Sequence, residues 1–190
     1  MEDDQTTFSS AEIEALAQRI NRPIVLVGMM GVGKSSVGRK LAAVLHLEFV
    51  DADDEIEAAA QMTIPEIFAA FDEPYFRDGE RRVIARLIGE GFGKIIATGG
   101  GAFCNPETRA LVLDKAITVW LDSDIDTLLE RTARKGNRPL LQQGNPREIL
   151  SRLMAEREQY YAQAPIHVKS GNGPQGRTIN RVLKGIEAWL

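Results

Sequence analysis

The octapeptide Gly28-Met-Met-Gly31-Val-Gly33-Lys34-Ser35 constrains what this chain can fold into more than any other stretch. Its pattern makes physical sense as a turn between a strand and a helix, and the flanks supply both. Before it, Pro23-Ile-Val-Leu-Val27 is short, apolar and β-branched, as in a strand buried on both faces. After it, Val37, Leu41, Val44 and Leu45 recur at helical spacing over residues 34–46. Strand, glycine loop and helix in that order build a phosphate cradle. The glycines let successive N–H groups turn inward, and the new helix adds the positive end of its dipole. Lys34 would then reach β/γ-phosphates and the Ser35 hydroxyl would sit on Mg²⁺. Gly31, Val32, Gly33, Lys34, Ser35 and Ser36 are the expected nucleotide contacts.

Further along, the same alternation repeats. Ser9-Ser-Ala-Glu12 has the form of a capping box ahead of Ile13, Leu16, Ala17 and Ile20, which predicts a short amphipathic helix. That helix could dock on the body or mediate self-association. A second strand is expected from Glu48 into Asp51 and Asp53, followed by a helix with acids in its first turn. Helices are expected from Thr63, where Pro65 and Glu66 start the turn, and over residues 74–89. Strands are predicted over residues 94–98, 116–121 and 164–168, and helices over 106–113, 122–132, 147–161 and 177–190. Residues 134–146 are basic and rich in helix breakers, which reads as a closing flap. Strands alternating with helices imply a three-layer α/β/α fold around a five-stranded parallel sheet. Such sheets bind ligands beyond the carboxyl ends of their strands. The phosphate loop, Asp51/Asp53 and Gly99-Gly-Gly101 each follow a strand, so three separated pieces of sequence converge on one crevice.

Composition excludes several alternatives. The 190 residues suit one domain, residues 23–190, behind an extension, residues 1–22. A net charge of −4 does not suit nucleic acid or an anionic membrane as partner. No apolar run approaches the roughly 18 residues of a membrane span. One cysteine, Cys104, and two histidines leave a structural zinc site without ligands and suit a reducing compartment. The expectation is a cytoplasmic monomer. Neither Asp-x-x-Gly nor Asn-Lys-x-Asp occurs, which disfavours a GTPase. A short chain with its own basic flap fits a kinase that closes over two small substrates.

Taken together, residues 31–41 (Gly-Val-Gly-Lys-Ser-Ser-Val-Gly-Arg-Lys-Leu), Asp51-x-Asp53, Phe76-Arg77-x-x-Glu80, Thr98-Gly-Gly-Gly-Ala102, Asn137-Arg-Pro-Leu-Leu141 and Met154-x-x-Arg157-x-x-x-Tyr161 resemble the shikimate kinase family, in order and spacing, from about residue 23 to 168. The resemblance implies a phosphate-loop NTPase of the nucleoside-monophosphate-kinase type. It implies transfer of the γ-phosphoryl of ATP to the 3-hydroxyl of shikimate, in the route to aromatic amino acids, with Mg²⁺ as cofactor. By the same resemblance, Arg77 and Arg157 would hold the shikimate carboxylate in bidentate fashion. Asp53 would accept from the hydroxyls and act as base. Gly100 and Gly101 would let backbone N–H groups approach, and Phe68, Phe76, Pro139 and Leu140 would cover the ring edge. Asp51 would hold Mg²⁺ through water. Arg138 would stabilise transition-state charge as an arginine finger within the chain, and Arg131 would stack on adenine.

Blander readings stay open for single residues. Asp51 and Asp53 could merely cap the following helix. Arg77 could be an ion-pair partner of Glu73 or Glu80, and Arg157 part of a solvated face with Glu156 and Glu158. Cys104 reads as a small packed residue, and His46 and His167 as structural. Two positions depart from the family pattern: Asp72-Glu73-Pro74-Tyr75, where a different turn is expected, and Lys169, where an acid is usual. Alternatives for the whole are another carboxylate-metabolite kinase of gluconate type, or a nucleotide-binding regulatory protein without turnover.

Overall fold

The computed structural model describes residues 7–134, 144–171, 173 and 175–190. Its strands are β1 (Ile24–Val27), β2 (Glu48–Asp51), β3 (Lys94–Ala97), β4 (Ile117–Asp122) and β5 (Ile166–Lys169), all parallel in the order β2-β3-β1-β4-β5. Central β1 is buried at every position because helices cover both faces, which is why it reads as an unbroken apolar run. Edge strand β5 alternates instead: Ile166 and Val168 are buried, whereas His167 and Lys169 face out. His167 stacks on Trp120 of β4, with ring centroids 3.9 Å apart, a packing role.

The helices are α1 (Ser10–Arg19), α2 (Lys34–Leu45), α3 (Ala52–Ala60), α4 (Ile64–Ala70), α5 (Glu73–Gly89), α6 (Pro106–Lys115), α7 (Ile125–Ala133), α8 (Pro146–Tyr161) and α9 (Gln175–Trp189). Right-handed crossovers put α2 on one face and α5 and α6 on the other. Accordingly α1 and α9 pack beside α2, while α5 packs on α3 and α6. The capping box before α1 forms through Ser9 and Glu12, and Leu16 and Ile20 are buried. The helix docks on the body, beside α2. On α9, Ile179, Val182, Leu183 and Ile186 form the buried stripe, each contributing on the order of 1.5–3 kcal/mol if fully removed from water. Among the described residues, no helix is long and apolar enough to cross a membrane.

Register aligns the functional turns. Asp51 pairs with Ala97 and Leu26 also pairs with Ala97, so β2, β3 and β1 end at one level. Strand β2 stops at Asp51, two residues before the expected end, because Asp51 turns to cap α3 by accepting from the Asp53 N–H. Asp53 therefore stands in the first turn of a helix. Asp72 caps α5 in the same way through the Tyr75 N–H, with Pro74 in its first turn, which is the structural outcome of the Asp-Glu-Pro-Tyr departure.

Candidate active site

Gly33 is the residue before α2; it adopts φ 102°, a left-handed conformation open to glycine, and offers no side-chain cap. The first-turn N–H groups of α2 are thus left without a capping oxygen, and no acid lies in that turn. Both features favour an anion there. Lys34, 9% exposed, donates from Nζ to the carbonyls of Gly28 at 2.7 Å and Met29 at 2.9 Å. Its ammonium is held inside the loop where phosphate oxygens would arrive.

A cavity of about 340 Å³ opens above the loop, lined by loop residues 30–36 together with Asp51, Asp53, Gly99, Gly100 and Arg131. Ser35 Oγ donates to Asp51 Oδ2 at 2.7 Å. A hydroxyl and a carboxylate so joined are hard oxygen donors of the kind Mg²⁺ takes while keeping most of its water. Among the described residues no cluster of three or more His, Cys, Asp or Glu could form an all-protein metal cage. The donor set fits a water-rich ion at the phosphates. Arg131 lies at the wall, its guanidinium donating to the Val32 carbonyl at 2.9 Å and the Gly171 carbonyl at 2.8 Å. It joins the phosphate loop to the loop after β5. Arg134 also lines this cavity, which the sequence reading passed over.

The second half of the site is assembled on the glycine turn after β3. A Cβ built on Gly99 would lie 2.9 Å from Glu80 Oε1 and 3.0 Å from Asp53 Oδ1. On Gly100 it would lie 3.4 Å from Arg157 Nη1 and 3.4 Å from the Met30 backbone nitrogen. On Gly101 it would collide with the Arg77 guanidinium at 2.5–2.8 Å. Three glycines therefore gather two acids, two arginines and the phosphate loop against one short piece of backbone, where side chains would leave no room.

Glu80 is the residue that sequence reasoning undervalued. It is 2% exposed, accepts from Arg77 Nη1 at 2.6 Å through Oε2, and has no hydrogen-bond partner at Oε1 among the described residues. Burial pushes its carboxyl above the ordinary glutamate range, and the Asp53 charge adds to this, while Arg77 and Arg157 pull the other way. The Phe-Arg-x-x-Glu spacing already put Glu80 one helical turn from Arg77; only burial distinguishes it from a surface partner. Glu73, the other partner of Arg77 at 3.3 Å, is largely exposed. Phe76 is buried, with Phe68 against it at 4.6 Å between ring centroids, and the Arg77 guanidinium lies over the Phe76 ring. Burial raises the Cys104 thiol pKa, against the pull of Arg157 and Arg77, which disfavours the nucleophilic thiolate. Lys169 ends β5 in an ion pair with Asp122. Arg138, Pro139, Leu140 and most of the expected flap lie outside the described residues.

A phosphate loop on the central strand of a parallel sheet, facing an acid- and arginine-lined turn on the next strand, defines a small-molecule kinase of the phosphate-loop class. A family model described as Shikimate kinase matches residues 30–187. The chain belongs to the shikimate kinase family. A shikimate kinase of Novosphingobium aromaticivorans is 64% identical over 193 residues, covering 100% of both chains. The solved shikimate kinase of Acinetobacter baumannii, in complex with shikimate, superposes with a TM-score of 0.84 at 36% identity, covering 95% of this chain and 98% of that one. A gluconokinase structure from Sinorhizobium meliloti 1021 shares the fold alone, with a TM-score of 0.59 at 18% identity over 90% of this chain and 94% of its own.

Proposed function

We propose that this chain transfers the γ-phosphoryl group of ATP to the 3-hydroxyl of shikimate, giving shikimate 3-phosphate and ADP. The observation that carries the reading is the turn at Gly99–Gly101, which gathers Asp53, Arg77, Glu80 and Arg157 beside the Met30 N–H. In this reading the phosphate loop and Lys34 bind the donor phosphates. Arg77 and Arg157 form charge-assisted pairs with the shikimate carboxylate, and Glu80 keeps the Arg77 fork oriented. Asp53 accepts the proton of the attacking hydroxyl as the oxygen–phosphorus bond forms and the bond to the ADP oxygen breaks. Ser35 and Asp51 would hold Mg²⁺, which when bound neutralises phosphate charge. Arg131 would border the adenine side, and Arg138 would reach the transferring group from the flap.

Residues 53–90 then form the acceptor-binding helices, residues 134–146 the flap, and residues 1–22 an extension to the kinase domain. A monomer in the cytoplasm fits the acidic net charge and single cysteine. A coupled ADP-release assay with Mg²⁺-ATP across shikimate, gluconate and nucleoside monophosphates tests the reading. Turnover that depends on shikimate alone is expected; its absence sinks the assignment.

A further inference from the structure

Tyr161 ends α8 and is 1% exposed, yet none of the roles above uses it. Its ring lies against Trp120, centroids 6.0 Å apart, and its hydroxyl donates to the Gly100 carbonyl across 61 residues of sequence. Burial raises the phenol pKa above its ordinary 10, with Arg157 pulling the other way, which favours the protonated donor.

The acceptor of that bond is an unusual piece of backbone. The peptide between Gly100 and Gly101 has glycine on both sides, so neither residue resists rotation of its plane. A trans peptide points its carbonyl and the following N–H in opposite directions. Holding the Gly100 carbonyl against Tyr161 therefore turns the Gly101 N–H away from α8. A flipped plane would present a carbonyl oxygen there, repelling an anion. The downstream part of the turn is tied separately: the Cys104 N–H donates to the Gly101 carbonyl at 3.1 Å, and Arg109 Nη1 donates to the carbonyls of Phe103 at 3.1 Å and Cys104 at 3.0 Å. Arg157 stands one helical turn before Tyr161, on the same face of α8, with Nη1 3.4 Å from a Cβ built on Gly100.

We infer that Tyr161 is a positioning residue of the acceptor half-site: its phenol locks the plane of the Gly100–Gly101 peptide, so that the Gly101 N–H keeps one direction beside the Arg77 guanidinium, and Arg157 stays against Gly100, at the shikimate carboxylate end. The inference rests on the reading of the site as a shikimate site. It acts through backbone and Arg157, and assigns Tyr161 no step in phosphoryl transfer.

Tyr161→Phe keeps the ring and removes the hydroxyl, and with it both the bond donated to Gly100 and the hydrogen bond with Arg157. Loss of the bond to Gly100 alone predicts a rise of at least about five- to tenfold in KM for shikimate, with KM for ATP unchanged. In the protein without substrates, the Gly101 amide should shift in the ¹⁵N-correlated NMR spectrum and exchange faster with solvent. Wild-type KM for shikimate in the variant, or parallel losses toward shikimate and ATP, would overturn the positioning role; the second outcome would mark Tyr161 as general core packing. An unmoved Gly101 amide would overturn the lock itself. If the wild-type chain does not phosphorylate shikimate, the functional reading fails, while the amide readout still decides the peptide lock.

Discussion

Replacing Gly101 by alanine isolates the space requirement of the acceptor turn. Gly101 has φ −94° and ψ −14°, which alanine adopts without strain, so the backbone does not object. The new methyl would lie 2.5 Å from Arg77 Nη2 and 2.8 Å from Cζ and Nη1. Ordinary contact begins near 3.5 Å, so the guanidinium must withdraw by about 1 Å. Arginine tips move cheaply when free, but this one donates to Glu80 at 2.6 Å and packs over the Phe76 ring at 5.2 Å. Its bond to exposed Glu73 is worth little. The bond to Glu80 is charge-assisted and buried, a class worth about 1.5–3 kcal/mol, and losing it would misplace the fork proposed to hold the shikimate carboxylate. That converts to a fall of roughly 10- to 150-fold in kcat/KM for shikimate. Gly101 does not line the nucleotide cavity, so KM for ATP should stay put. Steady-state kinetics with each substrate varied in turn decides the matter. A kcat/KM for shikimate close to wild type, or an equal loss toward ATP, would refute the claim that Arg77 occupies the volume above Gly101.

Asp53→Asn should lower kcat by about 10² to 10⁴ while ATP affinity, read by calorimetry, survives; comparable loss of ATP affinity would move Asp53 out of the base role. Glu80→Gln should separate stability from activity. Because the folded-state pKa of Glu80 is raised above the ordinary 4.5, the native protein binds more protons in the window between the two values, and its stability falls as pH rises through that window. The stability of Glu80→Gln relative to wild type in urea titrations should therefore rise from pH 4 to pH 8, whatever its sign at pH 4; a relative stability that falls would contradict the burial argument. Removing Mg²⁺ with a chelator should abolish turnover, and Ser35→Ala should raise the Mg²⁺ concentration needed for half-maximal rate, measured by ADP release. An unchanged requirement would leave Ser35 with its Asp51 hydrogen bond alone.

The donor half of the site was legible because a phosphate loop is local: glycines, lysine, serine, strand and helix all lie within residues 24–45. The ends of β1 and β3 were legible too, since a parallel sheet aligns carboxyl ends whatever its register. Asp51 resisted a single label because it does two things, capping α3 and accepting from Ser35, and spacing cannot separate them. Glu80 and Tyr161 were quoted in motifs but given no task. On a helix wheel Glu80 is an ordinary partner of Arg77; its importance comes from α5 lying over Gly99, a contact between distant segments. Tyr161 likewise meets Gly100 only once α8 has packed on the turn after β3. Arg131 showed the opposite limit, since its carbonyl partners at Val32 and Gly171 belong to no pattern in its own helix.

The adjacency of β1 and β3 carries a consequence for how the molecule can move. Both loops that would hold the reacting molecules spring from hydrogen-bonded neighbours, and parallel strands lie about 4.8 Å apart. A Cβ built on Gly100 would accordingly lie 3.4 Å from the Met30 nitrogen. The β1–β3 ladder ties the two turns directly, so a movement of the peripheral helices that leaves the ladder intact would not stretch that separation. The sheet acts as a ruler: breathing elsewhere alters access, and the gap across which a phosphoryl group would jump stays set by backbone hydrogen bonds.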